Sequence, residues 1–291
     1  MSNTRPSTHA TRRGILILIL GIALFTTMDA LAKGLLRQYP TPQVIWARFI
    51  GQAVLVSFIL GPSQILPTLN SAYPLTHLAR SAFQLGATGF FFFSLGYIGL
   101  AEATALADLN PLLISLGAAV FLGETLGRWR IIGLGFALTG ALIIIRPGAG
   151  IFTLAALLPL GCAISYAGSA LLTRVVGLKE GPATAMLHAA FLGAAITSLI
   201  VPFSWQPIAM VDLPLYAALG ILGTAAQFCL IKAFSMAEAS AIAPFSYLGI
   251  VFAMFWGIAL YAEYPDFWTI IGALVIAASG LYVWHKETMQ K

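Results

Sequence analysis

Asp29, Lys33, Arg48 and Asp108 are charged side chains set inside long apolar runs of this sequence. At the centre of a membrane helix an ionised group costs roughly 2.5–3.5 kcal/mol, so such groups must pair or face water. Counted from the nearest ends of their runs, Asp29, Arg48 and Asp108 all lie roughly 8–11 Å below one surface at about 1.5 Å per residue. Lys33 stands one helical turn from Asp29 on the same face. Two carboxylates and two cations at one depth form either a neutralised network that fixes helix packing, or an extracellular gate or charged wall that meets a zwitterion. Asp29, Asp108 and His188 are also the available proton sites within the runs; His188 otherwise reads as a satisfied structural histidine.

Uncharged polar residues form a second pattern. His77, Ser81, Gln84 and Thr88 recur at spacings of 4, 3 and 4, which places them on one helical face. Ser165, Tyr166 and Ser169 lie in a later run, and Thr224 and Gln227 in another. Hydroxyls of this kind either cement helix pairs or contact a solute. Two amides, Gln84 and Gln227, are expensive to bury unsatisfied, so a wet cavity is their natural home. Tyr247 is either a packing residue or an apolar contact. Pro111 and Pro244 free the carbonyls of Ala107 and Ser240, which makes each a kink or a hinge.

The elements that must position these residues are membrane helices. Of 291 residues 59% are hydrophobic and 9% charged, against roughly 25% charged in soluble chains. A surface this poor in charge excludes a secreted disulfide scaffold, a soluble enzyme with one anchor, and any large extramembrane domain. Apolar windows predict ten spans: Gly14–Leu36, Gln43–Leu60, His77–Leu100, Glu102–Leu122, Trp129–Ile145, Phe152–Val175, Thr184–Val201, Leu213–Ile231, Ser240–Ala262 and Phe267–Trp284. Backbone amides in hydrocarbon must bond internally, so the expected class is all-α integral membrane. Cys162 and Cys229 lie within spans and read as small buried hydrophobes. Arg5, Arg12 and Arg13 before the first run imitate a signal peptide, but the run is too long for one, and nine more spans follow.

Basic residues set the orientation. With the N-terminus cytoplasmic, Arg5, Arg12, Arg13, Arg80, Arg128, Arg130, Arg174, Lys179, Lys232, Lys286 and Lys291 lie inside, while Lys33, Arg37 and Arg146 lie outside. Both ends are therefore expected inside a bacterial inner membrane. The net charge of +5 follows this topology and does not signal nucleic acid.

The chain also repeats itself. Ala101–Ala107 reads AEATALA and Ala237–Ala243 reads AEASAIA; Glu124 with Trp129 and Ile131-Ile132-Gly133 matches Glu263 with Trp268 and Ile270-Ile271-Gly272. Five spans per copy is an odd number, so the second copy, residues 150–291, should be inverted relative to the first, residues 1–149. Inverted repeats place a binding site at their interface near the midplane. In these residues, with Pro111 and Pro244, Glu124 and Glu263, and the glycines 133, 140, 272 and 280, the sequence resembles the drug/metabolite transporter superfamily in its EamA-type branch of ten-helix exporters. Lys33 and Arg48 match positions where that family usually carries basic residues; Arg174 parallels Lys33, whereas Ala189 falls where Arg48 would repeat. The resemblance implies two inverted five-helix repeats around a central cavity, with helices 5 and 10 peripheral. It also implies export of amino acids or similar metabolites without a covalent cofactor.

These readings combine into a monomeric permease, embedded in lipid, that works by alternating access. Gln84, Thr88, Ser81, Ser165, Tyr166, Ser169, Thr224, Gln227 and Tyr247 are the candidate contacts for a small-molecule substrate. No Walker-type glycine loop is present, so facilitated diffusion or proton-coupled antiport remain. A multidrug or other metabolite permease is the alternative substrate reading. An integral-membrane enzyme is the rival class, but no metal is expected because no His-Glu-x-x-His motif occurs.

Overall fold

Among the described residues proline stands in the first turn of seven α-helices, Pro159 and Pro214 included. Its missing N–H is one that the first turn leaves unbonded anyway, and its fixed φ suits the helix. Pro42 opens α2 (Thr41–Leu60), Pro62 α3 (Pro62–Leu69), Pro74 α4 (Pro74–Leu95), Pro111 α6 (Asn110–Leu122) and Pro182 α9 (Pro182–Ile200). The other helices are α1 (Thr8–Leu35), α5 (Leu100–Ala107), α7 (Arg128–Ile145), α8 (Leu158–Val176), α10 (Leu213–Met236), α11 (Leu248–Tyr261) and α12 (Phe267–Thr288). The structure is a computed structural model in which residues 8–123, 127–146, 154–176, 180–236 and 243–289 are described. Among them no strand occurs. Glu124, Lys179, the start of the sixth expected span, the 149/150 boundary and most of the AEASAIA block lie outside the described residues. So do the side chains of Arg174 and Pro244.

Among the described residues eight helical stretches are long and apolar enough to cross a membrane. They include Leu100–Phe121, which joins α5 and α6, while Phe245–Tyr261 is a shorter apolar helix. The expected spans His77–Leu100 and Ser240–Ala262 are helical over Pro74–Leu95 and Leu248–Tyr261, and neither is among the eight. Large apolar side chains cover the outside: Phe58 is 83% exposed and Phe203 91%. In water a surface of this kind would aggregate, whereas lipid solvates it.

Close packing comes from glycine at the crossings. A Cβ on Gly51 of α2 would stand 2.6 Å from Gly220 Cα of α10, so the two backbones touch. Between α7 and α12 a Cβ on Gly140 would meet the Gly272 carbonyl at 2.8 Å. Without a hydrophobic force between helices in lipid, this backbone approach supplies the dispersion contact that holds them. Neighbours pair as α1 with α10, α4 with α8, α2 with α9, and α7 with α12. Weaker contacts join α2 to α10, α4 to α9, α1 to α11, and α6 to α8. Phe49, Phe92 and Leu219 fill the largest apolar core.

The fourth expected span is broken. α5 ends at Ala107, Asp108 caps it, and α6 resumes at Asn110. Pro111 has no N–H to give Ala107, so the ladder closes locally through Leu109 N–H to Leu106 O at 3.3 Å. Pro244 lies in a short 3-10 turn, Ala243–Tyr247, that leads into α11.

Candidate functional site

Between α2, α4, α9 and α10 lies a narrow cavity of about 10 Å³ lined by Arg48, Phe49, Gln52, Arg80, Gln84, Met186, Ala189, Gly223 and Gln227. That is room for about one water. Arg48 Nη1 donates to Thr88 Oγ1 at 3.0 Å, and Thr88 in turn donates to the Gln84 carbonyl at 3.1 Å. Arg48 Nε is buried without a partner. Asp29 on α1 attracts Arg48 but makes no ion-pair contact within 4.0 Å. Gln84 Oε1 accepts a bond from Ser169 Oγ at 3.3 Å.

Arg80 completes this wall, and sequence reasoning missed it by counting it only as a cytoplasmic-side charge. It is 7% exposed, and it donates to Thr173 Oγ1 at 2.6 Å and to the Ala185 carbonyl at 2.9 Å. The available signal was its place on the His77–Thr88 face, one residue from Ser81. The small residue Ala189, where a second Arg48 would repeat, borders the same space.

The expected four-charge cluster is divided in the structure. Lys33 Nζ pairs with Glu263 Oε1 at 2.7 Å and donates to the Ile98 carbonyl at 2.6 Å. Glu263 Oε2 accepts the Leu100 N–H at 3.0 Å. Lys33 therefore answers to the turn after α11, not to Asp29. Glu263 reaches it because Ala262 adopts a left-handed conformation, φ 52°, and the Glu263 N–H bonds back to Gly257 O at 3.0 Å. Beside this pair opens a cleft of about 310 Å³ bordered by Arg37, Tyr97 and Gly99. Asp108 stands apart from both groups. Its Oδ2 is buried without a partner, close to where a Cβ on Gly249 would lie, 3.9 Å away.

Polar contacts tie the bundle at each end. Where α1 turns into α2, Tyr39 OH donates to Asp212 Oδ2 at 2.7 Å, and Gln43 exchanges two bonds with the backbone of Gln206 at 2.9 and 3.0 Å. At the opposite end, Glu180 accepts from Ser71 Oγ and the Ala72 N–H, each at 2.8 Å, and contacts His77 Nε2 at 2.7 Å. Burial pushes the Glu180 carboxyl up, but the bonds from Ser71, His77 and Ala72 together outweigh it and hold it below its ordinary value. His188 stacks on His77 at 4.6 Å, with Nδ1 2.8 Å from Thr184 O. It sits in this end tie.

The remaining candidates are dispersed. Ser81 is buried and its hydroxyl unpartnered. Ser165 packs at the α4–α8 crossing, where a Cβ on Gly86 would meet its Oγ at 3.4 Å. Thr224 spends its hydroxyl on the Gly220 carbonyl of its own helix at 2.7 Å. Tyr166 remains 37% exposed near Arg80. Tyr247 points its hydroxyl at Gly280, where any Cβ would clash. Among the described residues no three His, Cys, Asp or Glu side chains converge as metal ligands would.

Residues 12–146 and 153–284 each match the EamA-like transporter family. The chain is 26% identical over 276 residues to the pseudopaline exporter CntI of Pseudomonas aeruginosa, covering 92% of this chain and 94% of that one. It is 26% identical over 277 residues to the S-adenosylmethionine uptake transporter of Rickettsia bellii, covering 94% of each. It is 27% identical over 278 residues to the riboflavin transporter of Rhizobium johnstonii, covering 94% of this chain and 91% of that one. A solved crystal structure shares the fold at a TM-score of 0.63 with 20% identity, covering 96% of each chain.

Proposed function

The chain belongs to the EamA-like transporter family, and from that premise we propose that this multi-pass membrane transporter exports small metabolites, amino acids foremost, by alternating access. The observation that carries the reading is the cavity between α2, α4, α9 and α10, where Arg48, Arg80, Gln84 and Gln227 converge within an otherwise apolar bundle. Two arginines and three glutamines line it beside Phe49 and Met186, a set that suits the polar end of a small amphiphilic solute and leaves its apolar part to the aromatic and thioether side chains.

The architecture proposed is ten spans in two inverted repeats, residues 1–149 and 150–291, with both termini cytoplasmic. Three features support it. The family matches the chain in two successive segments. Exchanging each span for the one five later turns the α1–α10 pair into α8–α4, and α2–α10 into α9–α4, both of which pack together. Gly123 and Ala262, each preceding the repeated glutamate, share a left-handed backbone with φ of 67° and 52°. A monomer contains both repeats, so it supplies a complete pathway.

Alternating access then requires the two end ties to open in turn. Tyr39–Asp212 and Lys33–Glu263 close the outer end, and Glu180 with Ser71 and His77 the inner. Pro111 and Pro244 are the hinges, because each helix there already lacks a backbone bond. Asp108, whose buried Oδ2 lacks a partner, is the proton carrier if transport is proton-coupled; Asp29 is exposed to the Arg48 charge, and His188 is held in the inner tie.

The test is purified protein in liposomes loaded with a radiolabelled amino-acid panel. Release dependent on the protein is expected. Gln84→Ala and Gln227→Ala should each slow it while the protein still folds. Absence of release for every amino acid would defeat the reading.

A further inference from the structure

Arginine cannot shed its charge in a protein, so an unmet guanidinium N–H in a cavity wall is a standing electrostatic demand. Arg48 has such an N–H. One terminal nitrogen is bonded to Thr88 at 3.0 Å, and the rings of Phe49 and Phe92 flank the group at 5.8 and 5.6 Å from their centroids. Nε is buried and bonds to nothing. On the facing helix the residue beside Nε is Gly223, where a Cβ would stand 3.8 Å from that nitrogen. The same Cβ would stand 2.8 Å from Met28 Sδ, so the thioether lies beside this edge, and Arg48 borders the cavity.

We infer that Arg48 receives the carboxylate of the transported solute on its Nε edge, and that Asp29 beside it makes the preferred solute a zwitterionic amino acid. This inference rests on the permease reading and names the substrate group that the cavity reads. The Nε edge offers two parallel N–H donors, the geometry a carboxylate accepts bidentately. Phosphate shares that chemistry, but a dianion needs a second free cation. Arg80, the other cation in the wall, already bonds to Thr173 and the Ala185 carbonyl. Asp29 acts on the Arg48 charge from more than 4.0 Å away, so a solute whose carboxylate meets Arg48 can turn its ammonium toward the Asp29 carboxyl, which a bare anion cannot do. Phe49 and Phe92 fix the plane of the guanidinium, and Thr88 fixes its rotation, so little ordering remains when the carboxylate docks.

The experiment measures counterflow of a radiolabelled neutral amino-acid mixture in proteoliposomes, with unlabelled amino acids, their carboxamides or inorganic phosphate as competitors. For the unaltered protein the carboxamides and phosphate should compete about tenfold or more weakly than the acids, the value of one lost charge-assisted pair. Arg48→Gln should abolish that preference by raising KM for the acids. Arg48→Lys, a point charge without the fork, should restore it only in part. Gly223→Val keeps Arg48 but crowds Met28 and Nε together, and should weaken acid competition likewise, so a folding failure of the arginine variants does not decide the matter. Equal competition by acids and carboxamides, or an acid preference that survives both Arg48→Gln and Gly223→Val, overturns the assignment while leaving the permease intact. Stronger competition by phosphate reassigns the site to phosphorylated solutes and also overturns it. No counterflow in the unaltered protein defeats the permease reading itself, and the assignment with it.

Discussion

Lys33 on α1 and Glu263 beyond α11 form an ion pair 2.7 Å long in which the lysine side chain is 6% exposed and the glutamate 29%. The same two groups take up the backbone of the α4–α5 linker through Ile98 O and the Leu100 N–H. Three chain segments thus meet on one pair of charges. Removing either partner strands the other, at a cost of about 3 kcal/mol for a mostly buried pair. Lys33→Met and Glu263→Gln are each expected to lower the melting temperature in detergent. The charge-swapped double variant Lys33→Glu/Glu263→Lys should recover part of the loss, as a double-mutant cycle would report.

At the α2–α10 crossing the contact is backbone on backbone. A methyl at Gly51 must push the helices apart, with an expected destabilisation of about 1–3 kcal/mol. Gly89 on α4 has nothing within 4 Å of its notional Cβ, so Gly89→Ala is the matched control and should leave stability unchanged or slightly raised. Thermal unfolding of the two variants side by side checks this.

Acid should loosen the end tied by Glu180. Its carboxyl titrates below its ordinary value of 4.5 when folded, so the stability it contributes is present above that value and is lost as pH falls through the depressed one. Unfolding scans from neutral pH to below about 4 should show a decline that Glu180→Gln abolishes. A decline of equal size in the variant would move the acid sensitivity elsewhere.

Asp108 gives a separate expectation. Its Oδ2 has no hydrogen-bond donor, so an amide in its place loses no partner. Asp108→Asn should therefore fold normally, with a melting temperature equal to or above that of the parent. If export is proton-coupled, the variant should lose flux driven by a pH gradient and retain solute counterflow. Gradient-driven flux at the parental rate would remove Asp108 from the coupling.

What was legible in the sequence follows from properties that travel with the local chain. Apolar length and the need to bond every amide internally require helices, and Pro111 must interrupt one because it lacks an N–H. Gln84 and Gln227 were recognisable as cavity residues because an amide has few other homes in hydrocarbon. The hydroxyls were not: Thr224 satisfies itself on Gly220 O at 2.7 Å, and residue type alone does not distinguish that from a solute contact. Nor could the spacing of charges along single helices reveal that Lys33 answers to Glu263, 230 positions away, or that Arg80 turns inward to the Ala185 carbonyl. Depth in a span is a sum of residue rises and is encoded locally. A partner depends on how each helix is rotated and which glycines let two backbones meet, and only the packed bundle decides that.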